Sequence, residues 1–572
     1  MKKSKSLLLM IALVLVIGTV LAGCGGNKAN NGNAAATNAP GNEGSTNTGT
    51  ATGDEKLAAD QTLRVNLTSE PPTFDPAQAQ DSQANTVLKT MYEGLTRMND
   101  ETGQAEPGIA EKWDISADGL VYTFHLRDAQ WSNGDPVEAA DFVRGWKIVL
   151  DPNTNPTAPY AYQLYYLKNA EEYYTKKVTD FSQVGVKAVD AKTLEVTLKS
   201  PTPYFLGLLS FYTYYPVHKS VEGNPKWATN KDTMITNGAF TLTEWTTGQA
   251  IQVTKNEKYW DAASIKLSKI DFSIVNSGAT ELLSYKNGEL DRAGNPNGEI
   301  PSEQLPIVKK ELPNEFVSKG IAATYYYYFN TTEKPFSNVK IRKALTMAIN
   351  RQALIDNITL GGQLPAFGLV PPGIAGVDGE YRNTVKDSYF TEDVEQAKTL
   401  LAEGLKEEGL TALPPVDLSY NTSENHKKIA LAIADMWKNN LGITVNTVNQ
   451  EWAVFIDNRQ SQNYQIARAG WTADYNDPMT FLDMFVTGGG NNDAGYANPE
   501  YDKLITDAKT NSDLAKRQED FAAAEKMLIQ DDMVIMPIYY YTNNSLTKEY
   551  LKGVTLDFSG AVDFTRGYLL EH

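Results

Sequence analysis

The chain has 572 residues, with 70 acidic against 52 basic side chains and a formal net charge of −18. This excess of negative charge repels nucleic acid and anionic lipid, so neither is expected as a partner. One cysteine and four histidines exclude a disulfide within the chain and leave too few ligands for a Cys/His metal cluster, so we predict no metal and no cofactor.

Residues 1–23 have the pattern of a secretory signal, in which three lysines precede an apolar run over 7–20. The order Leu21-Ala22-Gly23-Cys24 is that of a lipobox, so we expect Cys24 to become a lipidated N-terminus. The alternative is an uncleaved membrane helix, but the apolar run is short for a bilayer. Residues 24–60 are mainly Gly, Asn, Ala and Thr, which predicts a flexible tether. A monomer anchored to the outer face of a bacterial cytoplasmic membrane, in a Gram-positive cell, is the expected arrangement.

The rest of the chain, from residue 61, is too long for one hydrophobic core and predicts two or more lobes. Residues 120–126 and 193–198 alternate apolar and polar side chains like half-buried strands. Residues 429–437 have a helical period, and after an Asn-Asn-Leu-Gly stop they give way to a predicted strand over 443–448. We therefore predict an α/β protein with mixed sheets.

Sequence motifs of common enzymes are missing from the chain. It contains no H-E-x-x-H, no G-x-S-x-G, no Walker phosphate loop and no dinucleotide fingerprint. A pair of carboxylates needs no motif, so a secreted hydrolase acting on peptides or cell-wall fragments stays open as an alternative.

Residues 466–478 place a guanidinium and a carboxylate six positions apart, at Arg468 and Asp474, with Trp471 between them. These opposite charges suit the two ends of a zwitterion such as a short peptide. If the segment is extended, residues an even number apart face the same side, so both side chains would line one cleft. The alternative is a surface Arg and Asp beside a buried Trp.

Thirty tyrosines are a second unusual feature of the composition. Tyrosine has a broad apolar face and a polar tip, which suits a surface that holds many different ligands, although about half of the clustered rings are expected to be ordinary packing. The clusters lie at 165–166, 173–174, 212–215, 325–328 and 539–541.

Several sequence blocks of the chain form one ordered set: 110–127, 131–137, 140–143, 237–240, 259–260, 335–345, 420–428 and the segment around Asp474. Together these blocks resemble the extracellular solute-binding family of peptide ABC importers, and its oligopeptide-binding branch most closely. The resemblance covers the chain from about Leu63 to the C-terminus.

This resemblance implies a two-lobe α/β clamshell with an additional inserted domain, three domains in all. Lobe I would comprise residues 61–92, 217–325 and 542–572, the inserted domain 93–216, and lobe II 326–541. A peptide would lie extended between the lobes, held through its termini and backbone.

The resemblance also assigns roles to charged residues. Asp474 corresponds to the aspartate that takes the peptide ammonium. Arg468 and His426 correspond to positive groups that receive the carboxylate of shorter and longer peptides, and Arg459 to that of the shortest. Gln80 stands where the family's enteric members have a second acid, and it is a candidate contact to the ammonium.

The resemblance also covers several aromatic positions and a pair of cysteines that this chain lacks. Tyr160 and Trp452 resemble pocket walls, and Trp471 lies beside the ammonium site, whereas His426 as a helix cap and Trp452 as core packing are the alternatives. Thr472 and Ala323 replace two cysteines that are paired in the enteric members.

We therefore predict a substrate-binding lipoprotein, not an enzyme, that captures oligopeptides and delivers them to the permease subunits of an ABC importer. A receptor for one peptide pheromone is the main alternative, and a secreted carboxylate-dependent hydrolase is the other.

Overall fold

The computed structural model describes residues 56–100, 103–153, 155, 158–224, 226–511 and 513–572. The predicted signal sequence, Cys24 and the tether as far as residue 55 lie outside these residues. The end of the predicted tether already pairs with the C-terminus, since Leu57 bridges Leu570 and the Ala58 N–H donates to the Leu569 carbonyl over 2.9 Å.

The described residues contain strands of two to fourteen residues. They are β1 (Thr62–Leu67), β2 (Thr96–Met98), β3 (Ala105–Pro107), β4 (Ala110–Ile115), β5 (Val121–Leu126), β6 (Val186–Ala188), β7 (Thr193–Thr197), β8 (Phe240–Thr246), β9 (Ala250–Lys255), β10 (Lys269–Ile274), β11 (Arg292–Gly294), β12 (Phe316–Phe329), β13 (Leu364–Pro365), β14 (Ala375–Gly376), β15 (Gly379–Glu380), β16 (Val416–Asn421), β17 (Val445–Gln450), β18 (Ile466–Thr472), β19 (Ile535–Thr547), β20 (Leu551–Lys552), β21 (Thr555–Leu556), β22 (Val562–Asp563) and β23 (Tyr568–Leu569).

Helices alternate with these strands along most of the chain. They are α1 (Ser82–Met91), α2 (Ala139–Leu150), α3 (Ala170–Tyr174), α4 (Phe205–Leu208), α5 (Gly278–Lys286), α6 (Leu305–Glu311), α7 (Val339–Met347), α8 (Arg351–Leu354), α9 (Tyr381–Thr384), α10 (Val394–Glu407), α11 (Glu424–Leu441), α12 (Trp452–Gln460), α13 (Met479–Leu482), α14 (Pro499–Thr510) and α15 (Leu514–Lys526). None of the helices in the described ranges is long and apolar enough to cross a membrane.

The main sheet is mixed and has the order β17-β16-β18-β12-β19-β11-β1-β10-β9-β8, with β13 added against β19. Its two longest strands, β12 and β19, run antiparallel at the centre and join strands from early and late parts of the chain. Their register shifts between Gly320 and Thr324, where pairing is interrupted. The predicted lobe boundaries, after residues 325 and 541, fall within these two strands.

A separate four-stranded sheet, β4-β5-β7-β6, lies within the region predicted to be the inserted domain. Its middle strands confirm the alternating patterns at 120–126 and 193–198, because β5 and β7 bury every second side chain. The helix predicted over 429–437 is part of α11, and the strand predicted over 443–448 is β17.

Helix α11 shows why its sequence folds locally as predicted. The Ser423 hydroxyl caps its first turn, and Gly442 ends it in the left-handed conformation with φ of 69°. Its apolar stripe, including Ile433 and Trp437, is fully buried against the sheet and α7, where the Trp437 indole N–H donates to the Leu345 carbonyl over 2.8 Å. This packing fixes the N-terminus of α11, which carries His426.

Candidate functional site

Arg468 lies in the middle of β18, on a strand paired directly with β12. Its Nη2 donates to the Tyr541 hydroxyl over 2.6 Å, and its guanidinium lies 4.8 Å from the ring centre of Tyr325. Burial by itself would lower the pKa of Arg468, but the surrounding tyrosines raise it above its ordinary value, so the group stays charged. Among the described residues, no carboxylate forms an ion pair with it and its Nε has no hydrogen-bond partner.

A half-buried cation with neutral partners alone is electrostatically incomplete. Taking a charge out of water costs free energy, although the water that still reaches part of the guanidinium reduces this cost. The Arg468 guanidinium therefore provides a ready site for a carboxylate, and its planar donors suit bidentate binding.

His426 is in the first turn of α11, next to the same tyrosine. Its Nδ1 lies 3.3 Å from the Tyr325 hydroxyl, and burial together with the charge of Arg468 lowers its pKa well below the ordinary value. The ring is therefore neutral and offers an N–H rather than a positive charge. The helix cap is the Ser423 side chain, which accepts from the His426 backbone N–H, so the imidazole is not the capping group.

Asp474 lies two residues beyond the end of β18, so the extended segment carries Arg468 but stops short of this carboxylate. Its Oδ2 accepts from Gln163 Nε2 over 3.0 Å and from the Tyr162 hydroxyl over 3.4 Å. Burial, reinforced by the charge of Asp483, raises the pKa of Asp474 to about 7. This is a carboxylate with only neutral donors around it, which is the electrostatic complement of Arg468.

The residues around Asp474 come from two distant parts of the chain. Tyr160 packs against Tyr162 and Tyr212, with ring centres 5.9 and 5.7 Å apart. The Trp471 indole N–H and the Asp474 backbone N–H both donate to the Thr480 hydroxyl, over 3.3 and 3.2 Å. The predicted aromatic residues Tyr160 and Trp471 thus share neighbours with Asp474.

Sequence patterns alone did not identify Gln163 or Tyr162 as neighbours of Asp474. Both follow Tyr160 on a short 3-10 helix over Ala161–Tyr166, and Gln163 is buried with 1% of its surface exposed. The nearness of the two residues to Tyr160 was the one available signal, since more than three hundred positions separate them from Asp474.

Gln80 is exposed in the turn before α1. The neighbouring Asp81 caps α1 by accepting from the Ala84 N–H over 2.8 Å, and its charge acts on the aromatic cluster. Burial first, and then the charges of Asp474 and Asp81, raise the pKa of Tyr160. Asp81, one position after Gln80, is thus an acid whose charge acts on the same tyrosine as that of Asp474.

Arg459 and Trp452 occupy different surroundings. Arg459 Nε donates to Asp493 Oδ2 over 2.6 Å, and both residues are largely buried, so a protein carboxylate already neutralises this guanidinium. Trp452 begins α12 with half of its surface exposed, and its ring centre lies 6.4 Å from that of Phe455. Trp452 is therefore not a core residue.

Two further contacts involve the segment that carries Asp474. Tyr475 stacks on Tyr204 with ring centres 4.7 Å apart, and its hydroxyl lies 3.3 Å from that of Tyr166, which joins the segment after β18 to the region 93–216. Ala323 and Thr472 are direct partners in the β12–β18 register, as the resemblance to a paired-cysteine position implied. No group of three or more potential metal ligands was found in the described ranges.

Comparison with known proteins gives one consistent result. The profile of the family described as "Bacterial extracellular solute-binding proteins, family 5 Middle" matches residues 104–493. The oligopeptide-binding protein OppA of Bacillus subtilis (strain 168) is 44% identical over 577 residues, covering 99% of this chain and 100% of that protein. The structure of Listeria monocytogenes OppA bound to peptide matches with a TM-score of 0.80 at 34% identity, covering 90% of this chain and 100% of that one.

A solved structure of an open form matches this chain less well than the peptide-bound structure does. The unliganded open form of the murein tripeptide-binding protein MppA is also 34% identical, with 90% of this chain and 99% of that chain covered, but its TM-score is 0.67. The conformation described here is therefore closer to a peptide-bound form than to an open one. These matches confirm the predicted two-lobe α/β clamshell.

Proposed function

The chain belongs to the family 5 bacterial extracellular solute-binding proteins, and from this membership we propose that it captures oligopeptides outside the cell for uptake by an ABC importer. The observation that carries the proposal is the pair of incomplete charges in one cleft, the Arg468 guanidinium and the Asp474 carboxylate. Each is half-buried, with neutral hydrogen-bond partners alone among the described residues. A zwitterionic ligand would supply the missing countercharge at both ends.

The spacing of the two charges suits a short peptide. Arg468 and Asp474 are six positions apart in the chain, so their Cα atoms are at most about 20 Å apart. Both side chains reach into the cleft, which leaves room for roughly three or four extended residues at about 3.3 Å each. Arg468 would hold the carboxylate of the shorter peptides, and His426 would donate an N–H to that of the longer ones.

Aromatic side chains would surround the ligand without demanding one sequence. Tyr160, Trp471 and Trp452 are proposed as walls for the ligand side chains, and Tyr rings combine apolar faces with polar tips. Arg459 keeps a proposed place in the site only for the shortest peptides, where a ligand carboxylate would compete with Asp493. In this proposal the protein binds and releases its ligand unchanged, and permease subunits are its protein partners.

The experiment that tests this function is identification of bound ligand. Native mass spectrometry of the purified protein should detect a mixture of short peptides, and added peptide should raise the melting temperature with concentration and be recovered intact. Recovery of cleaved peptide would instead identify a hydrolase. Binding of a single peptide sequence would identify a signal receptor.

Peptide affinity should depend on pH through Asp474. The pKa of this carboxyl is raised to about 7 without ligand, whereas a bound ammonium stabilises the ionised form, so a proton must leave on binding below pH 7. Affinity should therefore fall about tenfold per pH unit below that value. Calorimetry between pH 5 and 8 with a free-amino tetrapeptide measures this slope. Its N-acetylated form should lack it, and equal slopes for both peptides would contradict the assignment.

The membrane anchor is a proposal from sequence alone. We expect Cys24→Ser to prevent lipid attachment and to release the protein from the outer face of the cytoplasmic membrane into the medium, because Cys24 is the proposed acylation site. Fractionation of cells that express each form measures how much protein stays with the membrane. As a control, the purified Cys24→Ser protein should bind peptide as the wild type does. Equal membrane retention of both forms would contradict the lipoprotein assignment.

A further inference from the structure

Two parts of the chain meet beside the N-terminus of α11. Asn425 Nδ2 donates to Glu299 Oε1, and Lys428 Nζ lies 2.8 Å from Glu303 Oε2 and 3.3 Å from Ser302 Oγ. Glu299 and Glu303 come from the region predicted to be lobe I, and Asn425 and Lys428 from the region predicted to be lobe II. These contacts therefore form only when the two sides of the cleft are together.

The segment that carries Glu299 is held firmly in place. Glu281 is 2% exposed, and its carboxylate accepts from the backbone N–H groups of Gly294 and Glu299 over 2.8 and 2.9 Å. A Cβ at Gly278 would lie 2.3 Å from the Glu299 carbonyl oxygen, so α5 packs closely under the segment. The segment is thus a fixed wall rather than a loose loop.

This wall stands at the carboxylate end of the cleft. His426 is adjacent to Asn425 in the same helical turn, and its ring is 5.6 Å from that of Tyr325, which also lies under Arg468. Tyr325 stacks on Tyr539 with ring centres 4.7 Å apart, and the charge of Glu299 reaches Tyr539. Asp474, at the other end of β18, is the ammonium site of the proposed function.

We propose that Glu299 and Glu303, closed against Asn425 and Lys428, form the end wall of the cleft and set the maximum length of the enclosed peptide. The inference rests on the proposed function and names its ligand class more narrowly. A peptide whose carboxylate lies near Arg468 or His426 fits inside the wall. The chain of a longer peptide would run into the hydrogen bond between Asn425 and Glu299. The C-terminal carboxylate of that peptide would then lie near the Glu299 carboxylate, which repels it.

A series of peptides with one fixed N-terminal sequence, extended at the C-terminus from three to nine residues, tests the proposal on the wild-type protein. Calorimetry should show affinity peaking near four residues and falling about tenfold or more for the octapeptide, the order expected when a charge-assisted hydrogen bond and an ion pair must be broken. Equal affinity for the tetrapeptide and the octapeptide would overturn the proposal.

The double variant Glu299→Ala/Lys428→Ala removes both contacts of the wall. We expect its preference for the tetrapeptide over the octapeptide to shrink about tenfold, mainly because tetrapeptide affinity falls by up to about tenfold, since the wild-type tetrapeptide complex is the one that keeps these contacts. Glu311→Ala is a matched control, since it removes the surface pair of Glu311 with Lys286, 3.2 Å apart in the same predicted lobe, and should leave the length preference unchanged.

The outcomes are distinguishable from failure of the proposed function. If the double variant weakened every length by the same factor, the contacts would merely favour closure and the proposal would be wrong. If no peptide of any length bound to the wild type, the proposed function would itself fail, and this inference with it.

Discussion

Replacing Asp474 by asparagine is expected to weaken binding of a free-amino tetrapeptide by about 2 to 5 kcal/mol, or roughly 30-fold to several thousandfold. The carboxylate is half-buried beside Gln163 and Tyr162, which are neutral donors and cannot replace its charge. Asparagine keeps the shape of the side chain but leaves the peptide ammonium without a countercharge. Isothermal titration calorimetry at pH 8, where the wild-type carboxyl is mostly ionised, measures the loss.

Combining Asp474→Asn with an N-acetylated tetrapeptide tests whether the carboxylate and the peptide ammonium interact directly. Acetylation removes the ammonium, so it should weaken binding to the wild type far more than to Asp474→Asn, because both changes delete the same interaction. Asp435→Asn, on the exposed face of α11 where Asp435 accepts from Asn439, is the control and should bind as the wild type does. Additive losses would show that Asp474 has a structural role and that the ammonium is held elsewhere.

The local parts of this site follow from the sequence. Alternation of side chains predicted the strands β5 and β7, and the stop signal Asn-Asn-Leu-Gly placed the end of α11. The six-residue spacing of Arg468 and Asp474 identified both charges. These features depend on neighbours within a few residues, which a single sequence displays directly.

The environment of each charge did not follow from the sequence, because it depends on distant residues. Asp493 neutralises Arg459 from 34 positions away, and no local pattern links the two. Burial and the charge of Arg468 lower the pKa of His426 well below its ordinary value, which favours a neutral ring where the resemblance implied a positive group. Gln163 contacts Asp474 only because the segment after Tyr160 packs against a segment that is 311 positions away in the chain. The balance of charge in a closed site is therefore set by tertiary packing.

Replacing Arg468 by methionine is expected to have a comparable effect at the opposite end of the ligand. Its guanidinium bonds to the Tyr541 hydroxyl over 2.6 Å and more weakly to Asn421 Oδ1 over 3.4 Å, so a peptide carboxylate would be its only charged partner among the described residues. Loss of one partner from such a pair costs about 2 to 5 kcal/mol of binding free energy. Calorimetry with a tripeptide and its C-terminal amide should show that amidation weakens binding to the wild type but hardly affects Arg468→Met.

The melting temperature of the ligand-free protein separates this role from a structural one. Methionine retains much of the apolar stem and removes a half-buried cation that has no anion beside it, so stability should be unchanged or higher. Arg517→Met is the contrasting variant, because Arg517 forms a buried bidentate pair with Asp477 over 2.6 and 2.8 Å, and its loss should lower the melting temperature. The opposite result would be a lower melting temperature for Arg468→Met together with wild-type affinity for the tripeptide and for its amide. The guanidinium of Arg468 would then stabilise the tyrosine cluster rather than receive the peptide carboxylate.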